Sequence, residues 1–208
     1  MSIQSKQEEL WNALTHGLGA ILGIVGLVIL IVYETSKTDF SLFSVIVYGL
    51  SVIILFTAST LYHAIRNEKL KHKFRVIDHI SIYILIAGTY TPVLLITLQD
   101  SLGWPLFWTV WGVALFGMIL KLFFTGRFEL FSTLLYLVMG WLIIFDFSTL
   151  NDLMSPQGIY WLATGGAAYT IGIIFYAMSS KPYFHVIWHV FVLVGAMSHF
   201  MMVFGYVI

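Results

Sequence analysis

FSTLLYLVMGWLIIFDFSTL, residues 131–150, decides how many times this chain crosses a bilayer. A spanning helix needs about 20 predominantly apolar residues to cover roughly 30 Å of hydrocarbon. The charge-free run here, 130–145, is short by itself. It reaches span length when Asp146 lies near the far interface and the helix continues to Leu150. Six other charge-free runs need no such allowance: 10–33, 40–65, 79–99, 101–120, 153–180 and 182–208. Together they predict an all-α bundle of seven membrane helices forming one domain over 1–208. The expected spans lie near 11–33, 42–64, 79–98, 104–121, 130–150, 156–178 and 184–207.

Composition agrees. The chain is 60% apolar and 10% charged, against about 25% charged in an ordinary soluble domain. The net charge is zero, so bulk electrostatics give no reason to expect nucleic acid. There is no cysteine, which removes disulfides and thiolate metal sites and leaves seven histidines as the main metal-ligand stock. The first run is not expected to be a cleaved signal peptide. Glu8 and Glu9 precede it where basic residues would stand, and it is too long for a signal core.

Loop charges orient the bundle. With seven spans and a cytoplasmic N-terminus, the inner segments hold Lys6, Arg66, Lys69, Lys71, Lys73, Arg75, Lys121, Arg127 and Lys181. The outer segments hold Lys37 alone. That bias satisfies the positive-inside rule and puts the C-terminus outside the cell. Gly17, Gly19, Gly23 and Gly26 in the first span, and Gly165, Gly166 and Gly172 in the sixth, allow close helix approach. Trp104, Trp108, Trp141 and Trp161 read as interfacial anchors or packing filler.

Polar residues inside the spans carry the chemistry, because each must be accounted for in hydrocarbon. The second span ends Ser59-Thr60-Leu61-Tyr62-His63, the third begins at Asp78-His79, and the seventh begins with His185 and His189. Residues four apart share a helix face, so Ser59 stands one turn from His63 and His185 one turn from His189. Two imidazoles at that spacing can reach one metal ion. Parity then matters: the second span ends inside, and the third and seventh start inside. Three histidines, a carboxylate and a hydroxyl therefore share one depth. If residues 130–150 did not span, the histidine pair would move to the opposite face.

Three neutral imidazoles plus a water make an open zinc site, and zinc suits imidazole. The metal ligands are expected to be His63, His185 and His189. Asp78 is placed to take the water's proton or orient it, and Ser59 to hydrogen-bond the water or a substrate oxygen. Direct ligation by Asp78 would instead close the site. Among the other histidines, His72 reads as solvated and His79 as pointing about 100° away from Asp78. His199 lies about 15 Å deeper than His189 and reads as an interhelical hydrogen-bond partner. His16, one turn after Asn12, either approaches the site as a supporting group or bonds a neighbouring helix.

These residues resemble a family. Asn12 with Thr15-His16, Ser59-x-x-x-His63, Asp78-His79-Ile80 through Ala87-Gly88-Thr89-Tyr90-Thr91-Pro92, and His185-x-x-x-His189 are similar in combination to the bacterial hemolysin III proteins. Those belong to the progestin and adipoQ receptor family, which includes the adiponectin receptors. The resemblance covers nearly the whole chain. It implies a seven-helix membrane protein with zinc near the inner surface, His63, His185 and His189 as ligands, and Asp78 and Ser59 at the water-holding and hydroxyl positions. His199 also matches a histidine of relatives that is not a ligand. The long N-terminal domain and C-terminal tail of the receptor members have no counterpart here, so a hormone-receptor role is not expected.

Three functions follow in order of expectation. The first is a zinc-dependent hydrolase of a membrane lipid amide or ester, acting in lipid homeostasis. The resemblance leans this way through the ceramide hydrolysis associated with the receptors. The second is a zinc-stabilised sensor or regulator without catalysis. The third is a pore-forming hemolysin. Membrane lipids are the expected partners, and the cell membrane is the expected location. The topology is checked with C-terminal fusions to the intact chain: alkaline phosphatase after Ile208 is expected to be active and green fluorescent protein dark.

Overall fold

The computed structural model describes residues 4–208 as a bundle of helices. The first span is α1, Lys6–Tyr33, and the second is α2, Ser41–Ala64. The third is α3, Glu68–Pro92, continued by a π-helical turn over Val93–Thr97. The fourth is α4, Gly103–Phe124. The fifth is composite: α5, Glu129–Gly140, a 3-10 turn over Leu142–Asp146, and α6, Phe147–Leu153. The sixth is α7, Pro156–Ala177, and the seventh is α8, Phe184–Met202, with a closing π turn over Val203–Val207. Among the described residues, seven helical stretches are long and apolar enough to cross a membrane.

Consecutive spans pack side by side, α5 meets α7, and α8 returns to α1 and closes the ring. The third span, which also touches α5, is the most enclosed. On α1 the buried stripe is Glu8, Asn12, His16, Gly19, Gly23, Gly26 and Leu30, while Leu14, Leu18, Ile21, Val25 and Val28 face outward. Small and polar residues inside with large aliphatics outside suit a bundle solvated by lipid.

Two boundaries differ from the charge-free runs. The third helix begins at Glu68 rather than near residue 79, because Asn67 caps it, accepting from the Leu70 N–H at 3.1 Å. Its basic first turns carry it past the hydrocarbon, where charge does not interrupt a helix. The fifth span is not one continuous helix. It breaks after Gly140 and resumes at Phe147.

In hydrocarbon the groups freed by such a break need partners. Tyr90 on α3 supplies them: its hydroxyl donates to the Gly140 carbonyl at 2.8 Å and accepts from the Ile143 N–H at 3.0 Å. Asp146 accepts from the Leu102 N–H at 3.0 Å and ties the break to the start of α4. Trp141, read as an anchor or filler, donates to Thr170 Oγ1 at 3.3 Å and bridges the fifth and sixth spans. Removing the Tyr90 hydroxyl takes the partner from the buried Ile143 N–H and from the half-buried Gly140 carbonyl. Tyr90→Phe is expected to lower stability in detergent by about 1–3 kcal/mol, measured by thermal unfolding against Thr109→Val on the exposed face of α4.

Candidate metal centre

His63 sits in the last turn of α2, which ends where the Ile65 N–H caps back onto Leu61. His185 and His189 occupy the first turns of α8, entered through Tyr183 in the left-handed region at φ 61°. That turn is held from outside itself: Glu8 of α1 accepts the Tyr183 N–H at 2.6 Å. Glu8 in turn closes a capping box with Ser5, so the α1 N-terminus and the α8 N-terminus are fastened together.

The three histidines meet. One ring nitrogen from each of His63, His185 and His189 lies within 4.8 Å of the others. Nε2 of His185 and Nε2 of His189 are 3.1 Å apart. The opposite nitrogens explain why these faces converge. His63 Nδ1 is 2.7 Å from Glu9 Oε2, and His189 Nδ1 is 3.3 Å from the Asn12 carbonyl oxygen. A carboxylate and a carbonyl only accept, so each imidazole carries its proton on Nδ1 and turns the Nε2 lone pair toward the shared point. Nε2 of His63 is buried with no partner among the described residues. Metal-binding histidines are ordinarily oriented through such outer hydrogen bonds. The residues therefore fit a divalent metal that prefers imidazole.

α1 builds this outer layer. Glu9 is shared between His63 and Lys71, whose Nζ is 2.9 Å from the other carboxylate oxygen. Lys71 also donates to the Tyr62 carbonyl at 3.0 Å. His16 stacks on His189 with ring centroids 3.6 Å apart and an interplanar angle of 10°, and Phe56 meets His16 edge-on at 4.9 Å. Phe56 fits there because Gly19 lacks a side chain: a Cβ at Gly19 would lie 2.4 Å from the Phe56 ring. His16 thus takes the supporting position beside the site. Glu9 entered the sequence reading only as a charge before the first span. Its place three residues before Asn12, beside the stripe that carries His16, is the signal that could have found it.

The structure brings Asp78 and Ser59 to the same cavity as His185 and His189. Asp78 stands apart from the convergent nitrogens and is not one of the groups within 4.8 Å. Its carboxylate lies 3.6 Å from Nδ1 of His79, whose closer contact is the Arg75 carbonyl at 2.8 Å. The Ser59 hydroxyl is buried without a partner among the described residues. His72 is exposed, and His199 Nε2 reaches the Leu162 carbonyl on α7 at 3.4 Å.

The cavity, of about 130 Å³, runs from the histidines between α3, α5, α7 and α8 and is walled mainly by apolar side chains such as Ile82, Ile86, Leu137 and Val192. It adjoins a larger space of about 550 Å³ beside the break in the fifth span, with Tyr90, Trp141 and Thr170 lining both.

Fold and site together define a multi-pass membrane protein with a buried three-histidine cluster able to hold a metal ion. The family model described as haemolysin-III related matches residues 4–200, and the chain belongs to that family. It is 45% identical over 206 residues to "Hemolysin-3" of Bacillus cereus, covering 99% of this chain and 94% of that protein. It is 44% identical over 201 residues to "Hemolysin-3 homolog" of Bacillus subtilis (strain 168), covering 96% and 94%. A more distant relative is "Monocyte to macrophage differentiation factor" of Homo sapiens, 27% identical over 201 residues, covering 94% and 82%. No solved structure matches significantly.

The outer hydrogen bonds give a test independent of any reaction. Glu9→Gln removes the carboxylate from His63 and, with zinc added as the probe metal, is expected to weaken metal binding roughly 10–100-fold in competition with a chelating dye. Asn12→Ala keeps the backbone carbonyl that His189 uses, so its effect on zinc affinity is expected to be much smaller.

Proposed function

We propose that this protein binds zinc through His63, His185 and His189 at the cytoplasmic side and hydrolyses an amide or ester bond of a membrane lipid. The observation that carries the reading is the convergence of three imidazoles, two of which, His185 and His189, line the polar end of an otherwise apolar cavity. A lipid's hydrocarbon chain suits the walls, and its polar linkage suits the end.

Held by His63, His185 and His189, a zinc ion would supply Lewis acidity and would make a water more acidic. The chain's own residues supply the rest. Asp78, close to the cluster yet outside it, accepts the proton of the attacking water on a carboxylate oxygen and returns it to the leaving amine or alcohol. The Ser59 hydroxyl, with no other partner, donates to the oxygen on which negative charge develops. The stack of His16 on His189 and the bond of Glu9 to His63 hold the two rings in place, so little reorganisation accompanies the reaction.

A sensor or regulator held together by zinc is the second reading. A structural zinc site is usually closed by four protein ligands. The position of Asp78 outside the cluster favours an open site over that arrangement.

Purified protein is expected to carry one zinc per chain by mass-spectrometric metal analysis, and His63→Ala and His189→Ala to lose it. Asp78→Ala is expected to keep zinc and to lose at least about 100-fold in lipid hydrolysis, followed by mass spectrometry on ceramide and phospholipid substrates. Zinc retained by a protein that cleaves no lipid would leave the sensor reading.

A further inference from the structure

Ten residues beyond His189, a second polar pair occupies the bundle interior, and the chemistry above makes no use of it. His199 on α8 and Tyr169 on α7 face each other with ring centroids 5.6 Å apart, and both line the first cavity. His199 is 8% exposed. Its Nε2 approaches the Leu162 carbonyl oxygen, which only accepts, so Nε2 carries the proton and Nδ1 is a bare acceptor. That Nδ1 is buried and has no partner among the described residues. The Tyr169 hydroxyl is likewise buried and unpartnered, and it can donate or accept.

The pair is accommodated by missing side chains. A Cβ on Gly165 would lie 2.3 Å from the His199 ring, and one on Gly195 would lie 2.7 Å from the Tyr169 ring. Polar groups at this depth are costly unless they find partners. A plain methylene chain in the cavity would leave both unpaired. A ligand O–H satisfies both at once, donating to His199 Nδ1 and accepting from the Tyr169 hydroxyl.

The geometry points to a recognition site, formed by His199 and Tyr169, for a hydroxyl group carried partway along a lipid's hydrocarbon chain. This rests on the reading that the cavity receives a lipid with its polar end at the three histidines, but not on that lipid being cleaved. Depth sets the position of the hydroxyl. Ten helical residues rise about 15 Å. An extended carbon chain advances about 1.2 Å per bond, as an extended polypeptide does. The hydroxyl therefore belongs about twelve bonds from the polar end.

The test is displacement of radiolabelled stearic acid from the purified full-length protein. Unlabelled 12-hydroxystearic acid is expected to compete about three- to tenfold better than stearic acid, the gain of one to two net hydrogen bonds. With the hydroxyl moved beside the carboxylate, 2-hydroxystearic acid is expected to gain nothing. Tyr169→Phe removes a single oxygen and is expected to shrink the preference about threefold, since the bond to His199 Nδ1 remains, while leaving stearic acid affinity within about twofold, as no apolar contact is lost. Four results overturn the inference: no binding of either acid, equal competition by both (the outcome for a pair that holds only buried water), equal gain from the 2-hydroxy acid, or a preference undiminished by Tyr169→Phe. Absence of lipid cleavage overturns only the hydrolase reading, since displacement reads binding alone.

Discussion

Hydrocarbon offers no partner to a hydrogen-bonding group, and the irregular parts of this bundle answer to that constraint. Regular helix satisfies its own backbone, so most of α1, α2, α4 and α7 need only small residues inside and aliphatic ones outside. Where the fifth span breaks, the Tyr90 hydroxyl takes over for one carbonyl and one N–H. Where α8 begins from a left-handed residue, Glu8 takes the exposed Tyr183 N–H. Such partners come from other spans, so the departures from regular helix also bind the spans to one another.

The metal centre follows the same logic. One face of α1 reaches two other helices in succession: Glu8 fastens the start of α8, Glu9 turns His63, and the Asn12 carbonyl turns His189. The last two bonds fix a ring tautomer as well as a ring orientation, and the rings of His63 and His189 meet that of His185 at one place. The break in the fifth span has a second consequence. By displacing the backbone around Gly140 and Trp141, it leaves space beside the sixth span that adjoins the cavity at the histidines. The same feature that needs Tyr90 for stability thus widens the apolar space behind the polar site.

Much of the site was legible because membrane parity is a strong constraint. His63, Asp78, His185 and His189 share a depth only when residues 131–150 cross the bilayer, and the helical stretch there, Glu129–Leu153, is long and apolar enough to do so. His199 was legible as an interhelical group from its distance along α8, and it bonds α7. Glu9 was not legible as the partner of His63. Sequence spacing places it on a helix face but not opposite a particular helix, and an acidic residue before a span also reads as a simple headgroup charge. The early start of α3 was hidden for a related reason: charges mark the edge of hydrocarbon, whereas a helix ends where its caps end, at Asn67.

The sequence by itself determined the class of protein, the number of crossings and the histidines that can act together, because hydrophobic length, charge placement and helical period are local quantities. Only the tertiary structure decided which nitrogen of each histidine faces the shared point, where the fifth span breaks, and that Asp78 stands outside the cluster. Those outcomes depend on which helix supplies the partner for each buried polar group, and that is a property of packing between segments distant in the chain.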